Sequence, residues 1–108
     1  YVQELLGVGD LQLPADADDG RHAWHLYVLQ TAHRDALQSY LAEHGCETLV
    51  HYPTPVYRML PYRQFGPAEL TTTDRLSSRI LSLPMGPHLS LQQTHEVCKL
   101  IREFFARR

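Results

Sequence analysis

Apolar residues fall into short runs with strand-like or helix-like spacing, and the order of these runs predicts a small sheet with helices. The clearest strand lies at 23–30, which is rich in aromatic and aliphatic residues and contains neither Gly nor Pro. Alternating leucines predict a short strand at 11–13, and a further strand is predicted at 48–51. These segments together predict a sheet of three to four strands.

Helical spacing of apolar residues predicts helices between and after these strands. One helix spans about 32–44 and ends at Gly45, since glycine readily adopts the left-handed conformation that closes many helices. A second helix begins near Thr71 and is predicted to continue through Leu83, where Pro84 stops it.

The last helix has the clearest start in the chain. Ser90 and Gln93 form a capping-box pattern, in which each side chain bonds the backbone N–H of the other residue. The following positions share one face of the helix, namely Thr94, Val97, Cys98, Ile101, Phe104 and Phe105. The predicted fold class is α/β, in the form of an α+β two-layer domain whose helices pack on one face of the sheet.

Length and charge limit the classes of protein that this chain can represent. At 108 residues it has room for one domain with one hydrophobic core. A formal net charge of −2 provides no basic field for phosphate backbones, so no nucleic acid partner is expected. No apolar run reaches the ~20 residues that span a bilayer, and two cysteines in no paired pattern favour a reducing compartment. A cytoplasmic protein with no membrane partner is expected.

The first residues have the pattern of a helix end. Tyr1 and Leu5 lie four residues apart, and Gly7 then interrupts the pattern. These residues predict the last turns of a helix whose earlier part belongs to a longer protein.

Metal, serine and lysine chemistry are each disfavoured by the sequence. His22 and His25 stand three residues apart at the entrance to a strand, where they point to opposite faces, and no metal site is predicted. No serine sits in a glycine-flanked elbow that would present it as a nucleophile. Lys99, the only lysine, is predicted on the solvent side of the last helix and is not expected to form a Schiff base.

The segment best suited to ligand contact follows the last predicted strand. Two prolines hold it extended, and it presents an imidazole, two phenols and a guanidinium in His51, Tyr52, Tyr57 and Arg58. Strand ends are where ligands usually sit in α/β folds. The alternative is that both tyrosines are packing residues with exposed hydroxyls and that the prolines only shape a turn.

Four pieces of the sequence occur in a characteristic order and spacing. They are His25-Leu26-Tyr27-Val28, the helix with Arg34-Asp35 and Leu37, His51-Tyr52-Pro53, and Leu81-Ser82-Leu83-Pro84-Met85. Together they resemble the C-terminal small domain of the DegT/DnrJ-type sugar aminotransferases. The resemblance covers nearly the whole chain and implies that residues 1–7 end an interdomain helix and that residues 8–108 form the small domain of a fold-type I enzyme.

The resemblance also implies an activity. Such enzymes use pyridoxal phosphate to transfer an amino group from glutamate or glutamine to a nucleotide-linked keto sugar or a keto-cyclitol. The lysine that carries the cofactor belongs to a large N-terminal domain absent from this chain. The fragment alone is therefore expected to contain no catalytic residue, and the full-length enzyme is expected to be a homodimer.

The resemblance assigns substrate contacts to His51 and Tyr52. Many family members have a histidine where this chain has Tyr57, which puts contact with an anionic diphosphate at that position in doubt. Arg58 and Arg63 can restore positive charge there. Two other hypotheses stay open: a detached, non-catalytic domain that serves in binding or assembly, and a dehydrating or regulatory relative in which another residue replaces the cofactor lysine.

Overall fold

The computed structural model describes residues 1–15, 22–65 and 70–108. Its helices and strands are, in chain order, α1 (Val2–Leu5), β1 (Tyr27–Gln30), α2 (Arg34–Glu43), α3 (Thr71–Arg79), β2 (Ile80–Leu83) and α4 (Leu91–Ala106). Two short 3-10 helices, Val56–Arg58 and Leu60–Phe65, lie between α2 and α3. In these three ranges no helix has the length and apolar character needed to cross a membrane.

β1 and β2 form an antiparallel pair whose inward face builds the core. Tyr27 lies opposite Leu83 and Leu29 lies opposite Leu81, so these four side chains share one face of the pair. All four are buried. They pack in one cluster with buried apolar side chains of α2 and α4, namely Leu37, Leu41, Val97, Cys98, Ile101 and Phe104. The predicted fold class, a small sheet with helices packed on it, is confirmed.

The outer edges of the sheet are single bridges rather than full strands. Gln12 pairs with Gln30 at one edge, and Leu49 pairs with Ser82 at the other. The strands predicted around residues 12 and 49 are each reduced to one bridge. At the first of them, Pro14 lacks the backbone N–H that would continue the pairing beyond Gln12. The predicted sheet of three to four strands is thus built from two strands and two bridges.

β2 is the principal element that the sequence prediction missed. The second predicted helix ends at Arg79, and Ile80–Leu83 is a strand. The prediction was wrong because apolar residues in 76–83 match helical spacing, and a run of four mainly apolar residues does not distinguish a buried strand from a helix. Since β2 has only four residues, β1 pairs over Tyr27–Gln30 and not over the whole of the predicted 23–30.

Two local signals at helix ends, the capping box at Ser90 and the glycine after α2, are confirmed. Ser90 Oγ accepts a hydrogen bond from the Gln93 backbone N–H at 3.1 Å, and Gln93 Oε1 accepts one from the Ser90 N–H at 2.9 Å. Gly45, directly after α2, has a φ of 75°. Lys99 is exposed on α4, as its position around the helix predicted.

α1 is held against α4 and the end of β2. Glu4 accepts a hydrogen bond from Arg102 Nη1 at 2.6 Å and also contacts the His95 ring. The bond from Arg102 is the main reason that the pKa of Glu4 is lowered. The Tyr1 hydroxyl donates to the Pro84 carbonyl at 2.7 Å. The first helix therefore has a defined orientation on the rest of the domain.

The buried face of β2 predicts a large loss of stability on truncation. Leu81 is 0% exposed, whereas Leu91 on α4 is 80% exposed. We expect Leu81→Ala to lower the free energy of unfolding by about 2–5 kcal/mol, because it leaves a cavity in the core. The matched substitution Leu91→Ala should change it by less than about 0.5 kcal/mol. Urea denaturation followed by circular dichroism measures both, and equal losses would contradict this description of the core.

Candidate functional site

His51 reaches Ser82 because of the bridge at the edge of the sheet. The Ser82 N–H donates to the Leu49 carbonyl at 2.8 Å, and the Leu49 N–H donates to the Ser82 carbonyl at 3.2 Å. His51 follows Leu49 by two residues, a spacing that places side chains on the same face of an extended segment. His51 Nδ1 lies 2.9 Å from Ser82 Oγ. The backbone pairing therefore brings the ring to the serine.

His51 and Ser82 line a cleft of about 1090 Å³ between the end of β2, the start of α4 and the loop after α2. Three more histidines line this cleft, His25, His44 and His88. They come from segments that are distant in the sequence, so the spacing of residues along the chain could not predict their grouping. Across the described residues, no three His, Cys, Asp or Glu side chains are close enough to hold a metal ion.

Tyr52 lies beside His51 but outside the wall of the cleft. Its side chain is well exposed, at 72% for the residue. The two rings meet edge to face, with centroids 5.5 Å apart and planes at 83°. The peptide bond that joins the two residues is cis. Tyr52 thus presents its hydroxyl to solvent next to the His51 ring.

Tyr57 and Arg58 form a cluster with Asp74 in the first turn of α3. The Tyr57 hydroxyl donates to the Asp74 carboxylate, and Arg58 Nη2 lies 2.8 Å from the same carboxylate. Arg58 Nε donates to the Tyr57 oxygen at 3.1 Å. The hydrogen bond to Asp74 raises the pKa of the Tyr57 hydroxyl. The structure brings these two predicted site residues together but places them outside the wall that His51 lines.

Sequence reasoning missed two residues that organise the predicted site, Ser82 and Asp74. A signal for Ser82 was present, since a serine inside an apolar strand must find a hydrogen-bond partner when it is buried. Asp74 lies three residues after Thr71, near the predicted start of the second helix, and the sequence predicted no further role for it. Its contacts with Tyr57 and Arg58 join residues 17 and 16 positions apart, respectively, and no local pattern predicts them.

The described residues form a small α+β domain with a cleft beside β2. A model of the DegT/DnrJ/EryC1/StrS aminotransferase family matches residues 1–102. The chain therefore belongs to this family, as the resemblance in the sequence predicted.

Individual relatives agree with this assignment. The dTDP-3-amino-3,4,6-trideoxy-alpha-D-glucose transaminase of Streptomyces venezuelae is 38% identical over 109 residues, covering 99% of this chain and 29% of that protein. The erythromycin biosynthesis sensory transduction protein EryC1 of Saccharopolyspora erythraea is 38% identical over 104 residues, covering 94% of this chain and 28% of that protein.

A solved structure shows the same fold. The crystal structure of S. venezuelae DesV matches with a TM-score of 0.95 and 37% identity, covering 100% of this chain and 30% of DesV. This chain thus spans less than a third of the length of these relatives.

The Asp74 cluster predicts a change in the titration of one tyrosine. Asp74→Ala removes the acceptor and the negative charge that raise the pKa of Tyr57, so this pKa should fall toward the ordinary value of about 10. NMR titration of ¹³C-labelled tyrosine rings measures it, with Tyr57→Phe to assign the signal. Asp35→Ala, which removes a carboxylate paired with Arg34 on α2, is the matched control. An unchanged Tyr57 titration in Asp74→Ala would contradict the cluster.

Proposed function

We propose that this chain is the C-terminal small domain of a pyridoxal-phosphate-dependent aminotransferase that transfers an amino group to a nucleotide-linked keto sugar or a keto-cyclitol. The observation that carries the proposal is the match of the whole chain to S. venezuelae DesV at 37% identity and a TM-score of 0.95. The name of the S. venezuelae transaminase supports a nucleotide-linked sugar as the substrate class. Glutamate or glutamine as donor and a homodimeric full-length enzyme belong to the same proposal.

The residues of this chain do not fit the cofactor itself. Pyridoxal phosphate is held covalently by a lysine in a desolvated setting, and the only lysine here, Lys99, is exposed on α4. We therefore assign the cofactor, and with it the catalytic groups, to the part of the parent protein outside this chain. When bound there, the cofactor would supply the electron sink for amino transfer. The fragment alone would be inactive.

The proposed division of the chain rests on how α1 is attached. Residues 1–7 would end the interdomain helix, and residues 8–108 would form the small domain. The bonds of Tyr1 and Glu4 to the end of β2 and to α4 support this division, because they would transmit the orientation of such a helix to the cleft. A cytoplasmic location stays a prediction. It agrees with the free thiols of Cys46 and Cys98, because a reducing compartment keeps cysteines unpaired.

The proposed work of this chain is to bind and orient the sugar. His51 lines the cleft, and the exposed Tyr52 lies next to it with its ring against the imidazole. Both groups can hydrogen-bond sugar hydroxyls or phosphate oxygens. Tyr57 and Arg58 are proposed as secondary contacts, since Asp74 already accepts a hydrogen bond from the Tyr57 hydroxyl and offsets the Arg58 charge.

One relative favours a second candidate function. EryC1 is described as a sensory transduction protein, and it is as identical to this chain as the S. venezuelae transaminase is. A regulatory relative without the cofactor lysine therefore remains the alternative. A detached assembly domain of the same fold is a further alternative.

Expression of the full reading frame that encodes this chain separates these hypotheses. We expect the purified protein to show the visible absorbance of bound pyridoxal phosphate. It should also transfer the amino group of glutamate or glutamine to a dTDP-linked keto sugar, detected by mass spectrometry. A protein that neither binds the cofactor nor transfers an amino group would overturn the aminotransferase proposal and support a regulatory or assembly role.

In that full-length protein, His51→Gln tests the site. Loss of a hydrogen bond to the sugar should lower kcat/KM for the sugar by roughly 3- to 10-fold, mainly through a higher KM, with cofactor absorbance unchanged. His22→Gln is the control, because His22 is exposed and does not line the cleft. Identical kinetics for wild type and His51→Gln would reduce His51 to a packing residue.

A further inference from the structure

The bond between Ser82 and His51 can have either group as the donor. Ser82 is 4% exposed, and both of its backbone polar groups are used by Leu49. In the described part of the chain, His51 Nδ1 is the hydrogen-bond partner of Ser82 Oγ, at 2.9 Å, and the hydroxyl has no other. The position of the hydrogen in this bond determines which nitrogen of the ring is protonated.

The hydroxyl hydrogen needs an acceptor because Ser82 is buried. If Nδ1 donated to Oγ, the hydroxyl hydrogen would be left without an acceptor, and a buried unsatisfied donor costs free energy. If the hydroxyl donates to Nδ1, every hydrogen of the pair is satisfied. The neutral ring then carries its proton on Nε2.

We propose that Ser82 is a positioning residue that fixes His51 as the Nε2–H tautomer and directs this N–H into the cleft as a hydrogen-bond donor. Nε2 has no hydrogen-bond partner in the described ranges, and His51 lines the cleft. The ligand atom facing His51 is therefore an acceptor, such as a sugar hydroxyl oxygen or a phosphate oxygen. In this state His51 does not act as a general base. The identity of the ligand rests on the proposed function, whereas the tautomer does not.

The surroundings of the ring keep it in this orientation. The backbone of Ser82 is held by Leu49 on one side and by its place opposite Val28 in β1 on the other. The Tyr52 ring packs edge to face against His51. The Ser82 hydroxyl therefore has a fixed position in the sheet, and the His51 ring packs against Tyr52.

The first test measures the tautomer in the unmodified chain. Long-range ¹H–¹⁵N correlation spectra of ¹⁵N-labelled protein, recorded where the His51 ring is neutral, distinguish protonated from unprotonated ring nitrogens. His51→Gln assigns the signals among the seven histidines. We expect Nδ1 to show the shift of an unprotonated nitrogen and Nε2 that of a protonated one. The reverse pattern would overturn the proposal.

The second test asks whether Ser82 is responsible. In Ser82→Ala we expect loss of the single-tautomer pattern, with the two nitrogen shifts moving toward each other. Ser82→Cys keeps a small side chain with a weak donor and should give an intermediate result, which also covers the case in which the alanine variant does not fold. Ser78→Ala, which removes an exposed hydroxyl that donates to the Arg75 carbonyl, should leave both nitrogens unchanged. Wild-type nitrogen shifts in both Ser82 variants would show that Ser82 does not position the ring.

The last test uses the full-length protein. Ser82→Ala should raise KM for the sugar roughly 3- to 10-fold while kcat changes less than about twofold, with partial recovery in Ser82→Cys. A confirmed tautomer in a protein that transfers no amino group would refute the proposed function and leave the Ser82 assignment intact. An active enzyme whose His51 carries its proton on Nδ1 would support the proposed function and refute the Ser82 assignment.

Discussion

The fold depends on one constraint: β2 is buried and must form hydrogen bonds along both of its edges. Leu81, Ser82 and Leu83 are each exposed by 4% or less, so their backbone groups cannot rely on water. β1 supplies partners on one edge, and Leu49 supplies them on the other through its two bonds with Ser82. A chain that lacked the bridge at Leu49 would leave a buried strand edge unpaired.

The placement of His51 follows from this constraint rather than from the loop that carries it. Because Leu49 is paired with Ser82, the side chain of His51, two positions later, lies on the same face of the sheet as that of Leu49. That face is opposite the one on which Leu81 and Leu83 build the core with α2 and α4. A serine inside an otherwise apolar strand is thereby explained, since its hydroxyl is satisfied by the imidazole.

The parts of the fold that the sequence predicted are those set by local interactions. The capping box at Ser90 and the turn at Gly45 involve neighbours within a few residues, and both are confirmed. Ile80–Leu83 could not be recognised in this way, because its strand conformation depends on Tyr27–Gln30 and Leu49, which lie 31 or more residues earlier. Strand preference reflects such partners more than the residues themselves.

The same distinction applies to the candidate site. The resemblance predicts ligand contacts in the loop after residue 50, but which of its side chains are free to meet a ligand depends on partners from other elements. The sequence predicts that Arg58 can replace the positive charge that a histidine at position 57 would provide, yet Asp74 offsets that charge with one carboxylate. The cluster of Tyr57, Arg58 and Asp74 therefore has one positive and one negative group. Under the proposed function, this domain would recognise its sugar through hydrogen bonds from His51 in the cleft and from Tyr52 beside it. Attraction of a diphosphate by charge would come from elsewhere in the parent protein.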